Sequence, residues 1–195
     1  MKKILLLFGI ISFGTSVFAQ GVKYGVKGGF NFADFRGHDA DSDIKTDIYL
    51  GGYVRIRLTE TMAFQPELVY SRQGSKDKED GAETKIKTNY LNIPLLLCTK
   101  MFGSENLIAV VGTQIGMHLS SEVSEGNGPN EISEDIDELL ADFDYAFALG
   151  LEYDIDESVT IGARYNMGLT KMFKKDYLTT DVRNSVFQIG VAFAF

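Results

Sequence analysis

The chain has 195 residues, 45% hydrophobic and 12% aromatic, with Phe and Tyr but no Trp, and it carries a formal net charge of −8. Such acidity argues against nucleic acid as a partner, because phosphates select basic surfaces. One domain suffices for this length, and the lone Cys98 excludes an internal disulfide.

Residues 1–19 place Lys2 and Lys3 before an apolar run that ends on Ala19, the pattern of a cleavable secretory signal. Its loss removes two lysines and no acid, taking the net charge from −8 to −10. Gln20 rather than a cysteine follows, so a lipid anchor is not indicated. No stretch of residues 20–195 approaches the roughly 20 apolar residues of a spanning helix. Any membrane span must then be β.

Period-2 alternation marks eight segments. In the first, Val22–Ala33, Val22, Tyr24, Val26, Phe30 and Phe32 oppose Lys23, Lys27 and Asn31. The second, Asp47–Leu58, sets Ile48, Leu50, Val54 and Ile56 against Tyr49, Tyr53, Arg55 and Arg57. The third, Thr61–Gln73, sets Phe64, Leu68 and Tyr70 against Gln65, Glu67 and Ser71, with a non-donating Pro66 inside it. The fourth, Lys85–Thr99, alternates Leu91, Ile93, Leu95 and Leu97 with Tyr90, Asn92, Pro94 and Leu96. The fifth, Asn106–Ser120, opposes Leu107, Val111, Ile115 and Met117 to Gly112, Gln114, Gly116 and His118. The sixth, Phe143–Asp154, is the most regular: Phe143, Tyr145, Phe147, Leu149, Leu151 and Tyr153 against Asp144, Ala146, Ala148, Gly150 and Glu152. The seventh, Ser158–Thr170, opposes Val159, Ile161, Tyr165 and Met167 to Thr160, Gly162, Arg164 and Asn166. The eighth, Phe187–Phe195, alternates strictly to an aromatic carboxyl terminus.

The connections alternate short and long, the long ones being 34–46, 74–84, 121–142 and 171–184. This is the signature of an all-β, eight-stranded, antiparallel up-and-down transmembrane β-barrel in the cell outer membrane, with short turns in the periplasm and long loops outside. Side-chain size settles which face meets lipid. An eight-stranded barrel has an interior only just wide enough for side chains, so the faces rich in Gly, Ala, Ser and Thr point inward and the Phe, Tyr, Leu and Ile faces outward. Were the second strand flipped, Arg55 and Arg57 would enter lipid at about 2–4 kcal/mol each. The expected lumen network is Lys23, Lys27, Arg55, Arg57 and Arg164 against Glu67, Asp144 and Glu152.

Five stretches carry a family resemblance: Gln65-Pro66-Glu67-Leu68-Val69-Tyr70-Ser71, Tyr90-Leu91-Asn92-Ile93-Pro94-Leu95-Leu96-Leu97, Gly150-Leu151-Glu152-Tyr153, Arg164-Tyr165-Asn166-Met167-Gly168-Leu169 and the C-terminal strand. Together they resemble the PorT-like family of outer-membrane β-barrel proteins. The resemblance implies the same barrel over all of 20–195 and, for some members, an accessory place in protein secretion.

Three segments hold candidate chemistry. His118, Ser120 and Glu122 form a His-x-Ser pair with a carboxylate, a pattern for acyl transfer, although this phase aims the pair into the lumen. Asp39, Asp41, Asp43 and Asp47 match part of a calcium loop, but Ile44 and Leu50 stand where Gly and Glu are needed. The loop 121–142 carries Glu131, Glu134, Asp135, Asp137, Glu138 and Asp142 without a basic residue. There, Ile132, Ile136, Leu139 and Leu140 recur at helical spacing, predicting a short amphipathic helix over 131–141 that covers the barrel mouth or docks on a basic partner. The expected function is a structural or interaction module of the envelope, ahead of a narrow channel and of a lipid A hydrolase. No catalytic, cofactor or metal residue is assigned. The expected partners are outer-membrane lipid and lipopolysaccharide, bridged to the acidic loop by divalent cations, with envelope or secretion proteins, around a monomeric barrel.

Overall fold

In the computed structural model each segment read from the alternation is a strand, and the strand ladder closes on itself. The structure describes residues 21–36, 43–79, 82–101, 103–125, 132–171 and 182–195. The leader at 1–19, Asp39, Asp41, Glu131 and most of the loop 171–184 lie outside the described residues. The strands are β1 (Val22–Arg36), β2 (Asp43–Arg57), β3 (Met62–Glu79), β4 (Ala82–Lys100), β5 (Leu107–Glu125), β6 (Ile132–Asp135), β7 (Phe143–Asp154), β8 (Val159–Gly168) and β9 (Arg183–Ala194). Neighbours run β4-β3-β2-β1-β9-β8-β7-β5, every pair is antiparallel, and β4–β5 pairing closes the ring. Eight strands thus build the barrel, and β6 adds to the upper part of β5 alone.

Closure satisfies the backbone groups that hydrocarbon would leave orphaned. The ladder tolerates Pro66 because Tyr53↔Glu67 and Ile56↔Phe64 keep one register across a short gap in the β2–β3 pairing. Outward rows are apolar and open: Leu50 is 65% exposed, Phe30 57%, Leu149 57% and Phe193 47%. Such a surface suits lipid and not water. Aromatic side chains mark its two rims, with Tyr24, Tyr153 and Phe193 near the short turns and Tyr70, Phe143 and Tyr145 near the long connections. The eight residue steps from Tyr145 to Tyr153 span about 26 Å along a strand, or roughly 20 Å across the membrane at barrel tilt, most of the apolar band of an outer-membrane barrel.

Inward rows are small or polar, with one correction. Leu96 and Cys98 of β4, Ile108 and Val110 of β5 and Ala148 of β7 form an apolar cluster inside the lumen near the short turns. Their parity is inward, so the interior is divided between a polar wall and an apolar wall.

Two expectations about the loops are overturned. The segment 74–84 is not a loop: β3 runs to Glu79 and β4 starts at Ala82, in register from Gly74↔Lys87 to Glu79↔Ala82. Likewise the helix expected over 131–141 is a strand, Ile132–Asp135, followed by a 3-10 turn, Asp137–Leu139. The cause is the exposed flank of β5. Because β7 stops pairing at Met117↔Phe143, Glu122–Glu125 offer unpaired ladder groups, which Ile132–Asp135 occupy. Tertiary pairing overrides local helical spacing.

Two substitutions test this architecture. Leu149→Arg places a cation on the lipid face near the middle of β7 and should cost about 2–4 kcal/mol, measured by urea unfolding in lipid vesicles. Gly190 faces Gly29 across β1–β9, and a Cβ there would strike the Tyr49 hydroxyl and the Gly28 carbonyl. Gly190→Val should destabilise by about 1–3 kcal/mol; an unchanged unfolding midpoint would refute the packing described.

Candidate functional site

Alternation delivers five charged side chains from five strands to one level of the lumen. Glu67 on β3 accepts Lys27 Nζ at 2.8 Å and both Arg164 guanidinium nitrogens, Nη1 and Nη2, at 2.9 Å. This two-pronged match of guanidinium to carboxylate is strong and directional. Glu152 on β7 accepts Arg55 Nη2 at 2.5 Å and Arg164 Nη2 at 3.5 Å, while Lys27 Nζ stands 3.8 Å away. Gln65 donates to Glu67 at 2.7 Å and accepts Arg55 Nε at 2.5 Å. The Glu67 side chain is 0% exposed. The cavity beside it, lined by Lys27, Tyr49, Glu152 and Arg164, measures about 20 Å³, room for roughly one water.

An amide layer lies above, toward the long connections. Asn166 Nδ2 donates to Gln188 Oε1 at 2.9 Å, Gln188 Nε2 to Asn31 Oδ1 at 2.8 Å, and Asn31 Nδ2 to Ser71 Oγ at 2.9 Å. Gln73 donates to the same Ser71 at 2.9 Å and accepts from Asn184. Higher still, Leu140 and Val182 are buried against Ile86, Ile136 and Leu139. The chain after β6 therefore covers the mouth, as one of the two roles expected for it, but without a helix. Glu134 and Asp135 stand on β6, Asp137 and Glu138 in the 3-10 turn, and Asp142 at the approach to β7.

Of the predicted lumen network, Lys27, Arg55, Glu67, Glu152 and Arg164 meet. Lys23, Arg57 and Asp144 do not join them. Asp144 accepts Thr170 Oγ1 at 2.5 Å near the far end. Lys23 and Arg57 are exposed at the short-turn mouth, where Lys23 donates to the Glu157 carbonyl at 3.1 Å. Nearby, Lys100 donates to Glu105 and holds that carboxyl below its usual range. Gln65 and the amides Asn31, Asn166, Asn184 and Gln188 were not foreseen as members of the interior network. Inward parity is the signal for Gln65, Asn31, Asn166 and Gln188, though uncharged amides stand out less than charges; Asn184 falls in the stretch expected as a loop, which β9 extends into.

The catalytic constellation weighed for acyl transfer is not assembled. A β-bulge at the β4–β5 pairing, where Asn89 meets Ser120 and Tyr90 meets His118, turns Ser120 to the outer face. There it accepts Asn89 Nδ2 at 2.9 Å. His118 points inward, 2.8 Å from Ser121 Oγ and 3.8 Å from Asp137 through the same Nε2. A triad needs its carboxylate on the other ring nitrogen. Glu122 is opposite Lys87, on the outer side. In the calcium-like segment, Asp43 belongs to β2, and the Asp47 carboxylate pairs with Lys45 at 2.9 Å and Arg72 at 3.3 Å.

Comparison with known proteins agrees with this geometry. Residues 18–174 match the family model for an outer membrane protein beta-barrel domain. Among solved structures the chain is similar to Ail, the attachment invasion locus protein of Yersinia pestis, with a TM-score of 0.54 and 13% identity over 90% of this chain and 100% of that one. For Ail in complex with the heparin analogue sucrose octasulfate the TM-score is 0.52 and the identity 14%, over 90% and 100% of the two chains. Neisserial surface protein A gives a TM-score of 0.49 at 13% identity, over 90% and 100%. No curated protein matches the chain.

The ion cluster generates its own test. Glu67→Gln leaves Lys27 and Arg164 buried without their counter-charge and should cost about 3–5 kcal/mol. The triple change Lys27→Met, Glu67→Leu, Arg164→Met removes all three charges, and most of that loss should return. Equilibrium unfolding in detergent micelles compares the two; equal losses would show that the cluster does not act as a unit.

Proposed function

The chain belongs to the outer membrane protein beta-barrel domain family and resides in the cell outer membrane; from that premise we propose that it is a non-enzymatic interaction module of the envelope, whose recognition surface is the sheet standing above the barrel. One observation carries the reading. The lumen is filled at three levels, by the Glu67 ion cluster, the amide layer and the Leu140 cover, while β3, β4, β5 and β6 continue beyond the apolar belt as a hydrogen-bonded sheet. A barrel with no usable bore offers its outer surfaces for work.

That sheet is split by charge. The β3–β4 hairpin presents Lys76, Lys85 and Lys87, and the β5–β6 side presents Glu122, Glu134 and Asp135. Opposed patches orient a protein partner and reject wrong ones. The PorT-like motifs favour a partner in protein secretion. Divalent cations bridging the carboxylates of the acidic edge to anionic lipopolysaccharide remain part of the same proposal, since carboxylates are ligands for such cations. For Ail the complex with sucrose octasulfate is known. In this chain Glu134, Asp135, Asp137 and Asp142 would repel a polysulfate at the acidic side of the sheet.

Two measurements test it. Photo-crosslinkers placed in cells at Thr84 and Glu134 should give discrete protein adducts, whereas one at lipid-facing Leu149 should not; adducts from none of the three would sink the proposal. In planar bilayers the purified barrel should show no stable conductance step, and deletion of 126–141 should leave it closed because the Glu67 layer remains. A steady step in the intact protein would favour the channel.

A further inference from the structure

The lumen charges expected from the sequence do not balance: five cations, Lys23, Lys27, Arg55, Arg57 and Arg164, face three carboxylates. In the structure Lys27, Arg55 and Arg164 are consumed by Glu67 and Glu152. Lys23 and Arg57 are left at the short-turn mouth. Among the described residues Arg57 has no side-chain partner, and Lys23 reaches only a backbone carbonyl. These two cations line a cavity of about 120 Å³ together with Arg55, Lys100, Met62, Ala63, Cys98, Ile108, Glu60 and Asp154. That is far more than the roughly 10–15 Å³ one water centre requires. Above it the Arg55–Glu152 pair and the Leu96–Cys98–Ile108 cluster close the way, so the cavity is blind.

We infer that this vestibule is a binding site for a carboxylate carried on a short apolar stem, the carboxylate on Arg57 and Lys23 and the stem against Met62, Ala63 and Ile108. Three arguments converge. Arg55 and Lys100 also line the cavity but are committed to Glu152 and Glu105, so Lys23 and Arg57 are the lining cations left to meet a ligand. Cations without a side-chain counter-charge attract an anion to the cleft they line. Guanidinium is also matched to carboxylate by its planar fork, and Arg57 has that fork uncommitted. Finally, the apolar side of the cavity distinguishes this ligand from bare phosphate or sulfate, which would leave Met62 and Ile108 uncovered. The short turns of such barrels face the periplasm, so the ligand comes from that side. Two sources share this chemistry: a small free aliphatic acid, and the C-terminal carboxylate of a peptide ending in an apolar residue. The inference is independent of the recognition surface proposed above, which lies at the other end of the barrel.

The experiment uses the full barrel in uncharged phosphatidylcholine nanodiscs, titrated by NMR and calorimetry with butanoate, its neutral isostere butanamide, and the tripeptide Gly-Gly-Val with free or amidated carboxyl terminus. Saturable binding of at least one free carboxylate is expected, lost with the amide and weakened by raised salt. Stronger binding of butanoate identifies a free acid as the source; stronger binding of the tripeptide identifies a chain terminus. Arg57→Ala should raise Kd at least tenfold, Arg57→Lys less than threefold, and Arg72→Ala at the far end should leave it unchanged. Folding of each variant is checked by its unheated electrophoretic mobility. Absence of saturable binding by both carboxylates overturns the inference, as does binding that a folded Lys23→Ala, Arg57→Ala double variant retains at full strength.

Discussion

Hydrocarbon supplies no hydrogen bonds, and that single deprivation organises the molecule. Every strand must find two neighbours, so β4 must meet β5 and β1 must meet β9. With eight strands the resulting ring is narrow, and its narrowness dictates the rest. Glycines and alanines have to line much of the wall, and the few long inward side chains must share one level. Once there, charges such as Glu67 are tolerable only when fully paired. The ion cluster is therefore a consequence of closure, and its packing leaves the bore without a path.

Strand number, order and facing were legible because lipid and lumen impose opposite demands on alternate residues. The row from Phe143 to Tyr153 against Asp144 to Glu152 could be read without ambiguity, and even the least regular row, Leu91 to Leu97, faces as its parity suggests. Legibility ended where lipid ends. Beyond Tyr70 both faces of a strand touch water or polar neighbours, so Arg72 to Glu79 lost the alternation by which a strand is recognised, and an 18-residue strand read as a shorter one followed by a loop. The same loss of contrast made Ile132–Asp135 look helical: only the empty flank of β5 decides its conformation, and that flank is invisible in the local sequence.

The interior was legible by charge and less so by geometry. Parity correctly brought Lys27, Glu67, Glu152 and Arg164 inward, yet it carries no information on height along the barrel axis. Height separates Arg57 and Lys23 from the cluster and places Asp144 beside Thr170 at the opposite end. A one-residue bulge did comparable damage to the His118–Ser120 pair: past it the strand's parity inverts, so two residues counted on one face point to opposite sides of the wall.

The extension of β3 past the apolar belt also sets a height for the molecule. Seven residue steps lead from Arg72 to Glu79, about 23 Å of strand, or roughly 18 Å once tilted as barrel strands are. The polar headgroup layer outside the hydrocarbon is only about 5–8 Å deep on each side. The two strands of the hairpin therefore clear the lipid headgroups and stand above the membrane like a mast.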